Sequence, residues 1–77
     1  MDRNELDAAI LEAHASDDIT ALIALYTQAA DLTETDGDID AACFFLTQAF
    51  VFALEDGVKT ARDLQSRLAE YGRAPPV

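Results

Sequence analysis

Three observations predict an all-α domain. Apolar residues recur at intervals of three and four, strict period-two alternation is almost absent, and no proline occurs before residue 75. Those features fit four antiparallel helices joined by short turns, at about 4–15, 18–35, 39–55 and 58–71. A length of 77 residues sets one domain, 1–73, with 74–77 expected as an extended tail. A core of that size supplies only about 3–5 kcal/mol of net stability, so help from a partner is anticipated.

The first helix places Leu6, Ile10 and Ala13 on one face. The following "HASDD" offers Ser16 and Asp17 as candidate N-caps of the second. That second helix sets Ile19, Leu22, Leu25, Tyr26, Ala29 and Leu32 on one broad side, with Thr20, Thr27, Asp31 and Glu34 opposite. In the third, Ile39, Cys43, Leu46, Phe50 and Leu54 form a central stripe at 100° per residue, flanked by Phe44 and Val51 on one side and Phe45 and Phe52 on the other. Only the sector around Gln48 reads as wettable. A helix apolar on nearly all sides needs several neighbours to cover it, so the third helix is expected at the centre with its phenylalanines wrapped. Gly57 is available to close it in the left-handed conformation. The fourth helix turns Ala61, Leu64, Leu68 and Tyr71 inward and most of its basic residues outward, and Gly72 stops it.

Charge narrows the classes of partner. Fifteen acidic residues against five basic ones give a net charge of −10, which repels nucleic acid and anionic membranes. Residues 1–57 hold thirteen acids and only Arg3 as a base, whereas 58–77 carry Lys59, Arg62, Arg67 and Arg73 against Asp63 and Glu70. That asymmetry invites the C-terminal part to lie against the rest, within one molecule or between copies. The longest apolar stretch, "AACFFLTQAFVFAL", is interrupted by Thr47 and Gln48 and falls short of the roughly 20 residues that a membrane span needs. The opening "MDRNELDAAI" lacks the pattern of a secretion signal, and a lone Cys43 excludes an internal disulfide, so a reducing, cytoplasmic setting is expected.

Candidate chemistry is sparse. The acidic turn "TETDGDID" begins like a calcium loop when Gly37 is set at its sixth position, with Asp36 at five and Asp40 at nine. Leu32 then occupies position one and Cys43 position twelve, so both end ligands are missing. The same letters read as a turn: Gly37 ends one helix, Asp38 caps the next, and Asp40 suits the positive end of its dipole. His14 and Cys43 are the only side chains of their kind, and a thiol nucleophile needs an adjacent base, which nothing in their spacing provides. Cys43 reads as a small core residue and His14 as a solvated residue at a helix C-terminus. No catalytic, cofactor or metal residue is therefore assigned, and no small-molecule substrate is expected. The alternative class is a metal-dependent or thiol enzyme using the acidic turns or the His14/Cys43 pair.

Ile19, Leu22, Ile23 and Tyr26 in the second helix, and Gly37, Ala42, Leu46 and Ala49 at and within the third, keep the spacings of the first and second helices of a tetratricopeptide repeat, which residues 19–72 resemble. "ALEDGVKTARDLQSRL" resembles the start of another unit, or of the related Sel1-like version, through Ala53, Gly57, Ala61, Leu64 and Leu68. Ile19 stands where the repeat has an aromatic, Ile23 where it has a small residue, and Tyr26 lies sixteen residues before Ala42, seven beyond the usual unit. The resemblance implies a scaffold that binds proteins or peptides and catalyses nothing. On that geometry Thr20, Ala24 and Thr27 face the groove, while spare apolar surface on the third helix, at Phe44 and Val51, is available for a protein partner or for self-association, commonly as a homodimer. A purely structural homo-oligomeric subunit is the remaining alternative.

Overall fold

A computed structural model describes residues 2–74, with the side chain of Val58 outside the description. Four helices follow one another: α1 (Arg3–Ala15), α2 (Ile19–Thr35), α3 (Ile39–Asp56) and α4 (Val58–Glu70). Of the expected tail 74–77, only Ala74 falls among the described residues, and it packs against the core rather than extending away. Each helix packs on its neighbours in sequence, α1 on α2, α2 on α3 and α3 on α4. Side-chain contacts fix the directions. Arg73, beyond the end of α4, reaches Asp40 at the start of α3, and His14, at the end of α1, reaches Tyr26 in the first half of α2. The chain therefore runs up and down through an array only 13 Å thick against 32 and 29 Å across.

The first two turns are made alike, and the reason is local. Asp18 N–H donates to the carbonyl of Ala13 at 3.0 Å and Asp17 N–H to that of His14 at 3.3 Å; Asp38 and Gly37 repeat the pattern on Thr33 and Glu34 at 2.9 and 3.0 Å. This pair of bonds satisfies the orphan carbonyls at a helix end and requires a left-handed residue before the last donor. Asp17 supplies it at φ 53° and Gly37 at φ 80°. Asp18 and Asp38 then turn their carboxylates forward, accepting from Ala21 N–H at 3.2 Å and Ala41 N–H at 3.1 Å. The N-cap of α2 is thus Asp18, not Ser16 or Asp17: Asp17 is consumed by the left-handed position, and Ser16 Oγ donates back to Glu12 at 3.0 Å. α4 closes in the same way around Gly72, at φ 71°.

α3 ends differently. A single residue, Gly57, separates it from α4, and its φ of 173° is extended backbone rather than the expected left-handed one. With one residue available, the chain has to leave α3 and enter α4 at once, and no left-handed step fits between them.

The core follows from this order and corrects several expectations. α2 and α3 share the centre, since each has a helix packed on either side. α2 accordingly buries two faces: Leu22 and Ala29 join Leu6, Ile10 and Ala13 of α1, whereas Ile23 and Ala30 join Ala61, Leu64 and Leu68 of α4. Leu32, expected inside, is exposed. In α3 the buried line is Ala42, Leu46, Ala49 and Ala53, with Cys43 beside it. Alanines occupy the seam because close helix packing leaves no room there for longer side chains. The phenylalanines are consequently pushed to the margins. Phe45, Phe50 and Phe52 are half-buried, Phe44 is exposed, and Leu54, placed on the central stripe by periodicity, also faces out. Gln48 is half-buried, so the outward sector is not the one expected.

Candidate functional site

Phe44, Thr47, Val51 and Leu54 lie at alternating intervals of three and four and form one outward line on α3. Phe44 is 57% exposed, Val51 49% and Leu54 57%. α2 offers an internal control, since residues 18–29 and 38–49 share Asp, Ile, Ala, Thr, Gln and Ala at an offset of twenty. The correspondence holds in three dimensions: Thr27 and Thr47 both donate to the carbonyl four residues back, at 2.7 and 2.8 Å, and Ala29 and Ala49 are both buried. At the positions matching Phe44, Val51 and Leu54, α2 carries Ala24, Asp31 and Glu34. Register for register, α2 turns small and acidic side chains outward where α3 turns large apolar ones.

The acids of α2 have a structural task. Arg67 of α4 donates to Asp31 at 2.7 Å and approaches Glu34 at 3.6 Å, and the Tyr71 hydroxyl donates to Glu34. That hydrogen bond, then desolvation and the carboxylate's charge, raise the Tyr71 pKa above its ordinary value. On the other margin Arg73 donates to Asp40 at 2.6 Å, a bond that favours its charged form. Two of the four C-terminal bases, Arg67 and Arg73, thus fold back onto acids within one molecule.

Two shallow depressions flank Phe44. One, of about 330 Å³, is lined by Asp40, Cys43, Phe44, Thr47 and Arg73. The other, of about 300 Å³, is lined by Asp7, Ile10 and Leu11 of α1, Tyr26 of α2, and Phe44 and Phe45 of α3. α1 and α3 both lean on α2 but approach each other nowhere within 8 Å between Cα atoms among the described residues, which leaves a trough between them. Leu11, 71% exposed, stands on its α1 rim.

An aromatic group lies under the same trough. The rings of Tyr26 and Phe52 stack at 6.0 Å, Phe45 tilts against Tyr26 at 6.2 Å, and His14 meets Tyr26 and Phe52 edge-on at 5.9 and 5.8 Å. His14 Nε2 and Tyr26 Oη share a hydrogen bond of 2.8 Å. His14 is exposed, as expected, but it is tied to a ring cluster and not simply solvated. Cys43 is buried. Since His14 rests on Phe52, nine residues further along α3, the thiol and the imidazole are separated by roughly 13 Å of helix and are not brought together.

The acidic turns hold their carboxylates apart. Asp18 and Asp38 cap helices and Asp40 pairs with Arg73, and among the described residues no three His, Cys, Asp or Glu side chains gather as a metal cage. Of the residues assigned to partner binding, Thr20 and Ala24 are exposed and Thr27 is half-buried, together a small polar face on α2; Phe44 and Val51 stand on the apolar line. Leu11 and Leu54 belong with the latter and were missed. Setting α2 against α3 at an offset of twenty reveals Leu54, whereas Leu11 has no comparable signal. No described helix is long and apolar enough to cross a membrane. Scans against protein-family models, curated proteins and solved structures return no match to this chain.

Proposed function

We propose that the chain is a small cytoplasmic protein-interaction module, tetratricopeptide-like in its succession of helical hairpins, that binds a protein partner through the outward face of α3 and catalyses nothing. The observation that carries this reading is the contrast between matched positions, Phe44, Val51 and Leu54 on α3 against Ala24, Asp31 and Glu34 on α2. Apolar surface kept in water costs free energy with every exposed side chain, and a contiguous patch of it on a small domain marks a contact surface. A second reading is self-association as a two-fold homodimer. It is favoured by the absence of any charged residue from 41–54, which lets two acidic copies approach along that line.

A photo-activatable benzoyl-phenylalanine at position 44, and in parallel at position 24, tests the reading in the source cell. A discrete adduct from position 44 and little from 24 is expected. Equal labelling from both faces, or none from either, would refute it.

A further inference from the structure

We infer that the trough between α1 and α3 receives a basic amphipathic helix from a partner protein. The inference rests on the interaction reading above and names the occupant of that face. Its shape comes first. The floor is apolar, made by Ile10, Tyr26 and Phe45, and the rims are Leu11 and Phe44. A depression of about 300 Å³ suits one or two apolar anchors projecting at three- and four-residue spacing from a helix laid along the gap.

Charge selects the kind of helix. Asp7 stands on the α1 wall beside Leu11, α1 carries Glu5 and Glu12 elsewhere on its surface, and α3 ends in Glu55 and Asp56, all exposed; Arg3 is the only basic residue on either helix apart from His14. Every other base follows residue 57, on α4 or just beyond it, and Arg67 and Arg73 are already paired with acids. An apolar seat with an acid on its wall, on a chain of net charge −10, attracts a ligand of the opposite pattern, and that charge repels nucleic acid and anionic lipid.

Size argues against a second copy. A few half-exposed side chains amount to a patch of a few hundred Å², on the order of 300 Å². A stable two-fold interface needs about 800 Å² from each partner, and a flat contact of α3 with its own copy leaves the trough floor unused. A separate helix reaches that floor as well as the rims.

The test uses the full chain and a fluorescein-labelled 18-residue peptide of leucine and lysine, patterned as an amphipathic helix. A peptide of the same composition with the pattern scrambled is the control. Anisotropy at 0.15 M salt is expected to show the scrambled peptide binding at least tenfold more weakly. Phe44→Ser and Leu11→Ser, each checked by circular dichroism for an unchanged helical fold, are expected to weaken the patterned peptide by a similar factor. Equal binding of both peptides would reduce the effect to charge alone and overturn the proposal. So would indifference to both substitutions, absence of binding, or a sedimenting dimer that the peptide does not dissociate. If the peptide fails while position 44 still yields a discrete adduct to another protein, this inference falls and the interaction reading stands; if both fail, both fall.

Discussion

α2 and α3 begin with the same cap after the same turn and share a threonine-glutamine-alanine stretch, yet the face that both turn to solvent is acidic in one and apolar in the other. In α2 the outward positions at the C-terminal half are acids that hold Arg67 of α4 and Tyr71 just beyond its end. In α3 the same positions are valine and leucine, with Phe44 ahead of them, and among the described residues none of these is covered. Both helices obey identical local rules, so propensity and capping do not explain the difference. The difference lies in what each outward face meets: another helix of the same molecule for α2, and no described part of the molecule for α3.

The comparison can be broken at several depths. Leu22→Ala and Leu46→Ala remove the two largest fully buried side chains, one from each helix, and each is expected to cost about 3 kcal/mol in urea unfolding. A markedly smaller loss at Leu46 would mean that the α3 seam is looser than its alanines indicate. Asp18→Ala and Asp38→Ala should each cost about 1 kcal/mol, and nearly the same amount, because they remove equivalent caps. The left-handed positions should respond with opposite sign. Asp17→Gly is expected to stabilise by about 0.5 kcal/mol, and Gly37→Ala to destabilise by about 1 kcal/mol, although a Cβ at Gly37 would meet nothing within 4 Å.

Phe44→Ser should change the stability of the isolated chain by less than about 0.5 kcal/mol, which separates its surface role from the core role of Leu46. The smallest effect concerns alkali. The phenol of Tyr71 titrates higher in the fold than in the unfolded chain, so its bond to Glu34 contributes fully below the ordinary tyrosine value and fades as pH rises through the raised one. Melts from pH 8 upward should therefore show wild type losing more stability than Tyr71→Phe above about pH 10.

Much of the fold was legible in the letters. Helix limits fall within a residue or two of those read from periodicity, Gly37 and Asp38 do what a turn glycine and a capping aspartate do, and Cys43 and Leu46 are buried. The orientation of α3 was not legible, for a physical reason. A helix apolar all round has no preferred side, so the face that enters the core is chosen by which neighbour can come closest, and alanines decide that although they count for little on any hydrophobic scale. For the same reason α2 hides Ile23 and Ala30, which only the arrival of α4 explains; Thr33, buried on the side of α2 that faces Leu6, satisfies its hydroxyl on the carbonyl of Ala29 at 2.9 Å. The candidate surface was half legible, through Phe44 and Val51. Its Leu11 rim depends on where α1 lies across α2, and that placement is not written within α1.

Asp18 and Asp38 each close one helix through the main chain and open the next through the carboxylate, so neighbouring helices hold a residue in common. Fraying cannot be confined to one of them, because loosening the last turn of α1 or α2 also strips the first turn of its successor. Nor is there slack to take up an inserted or deleted residue at either joint. Melting should consequently propagate through α1, α2 and α3 as a single event, leaving the joint at Gly57, whose N–H closes α3 but which has no side chain to cap α4, as the place where the chain can come apart first.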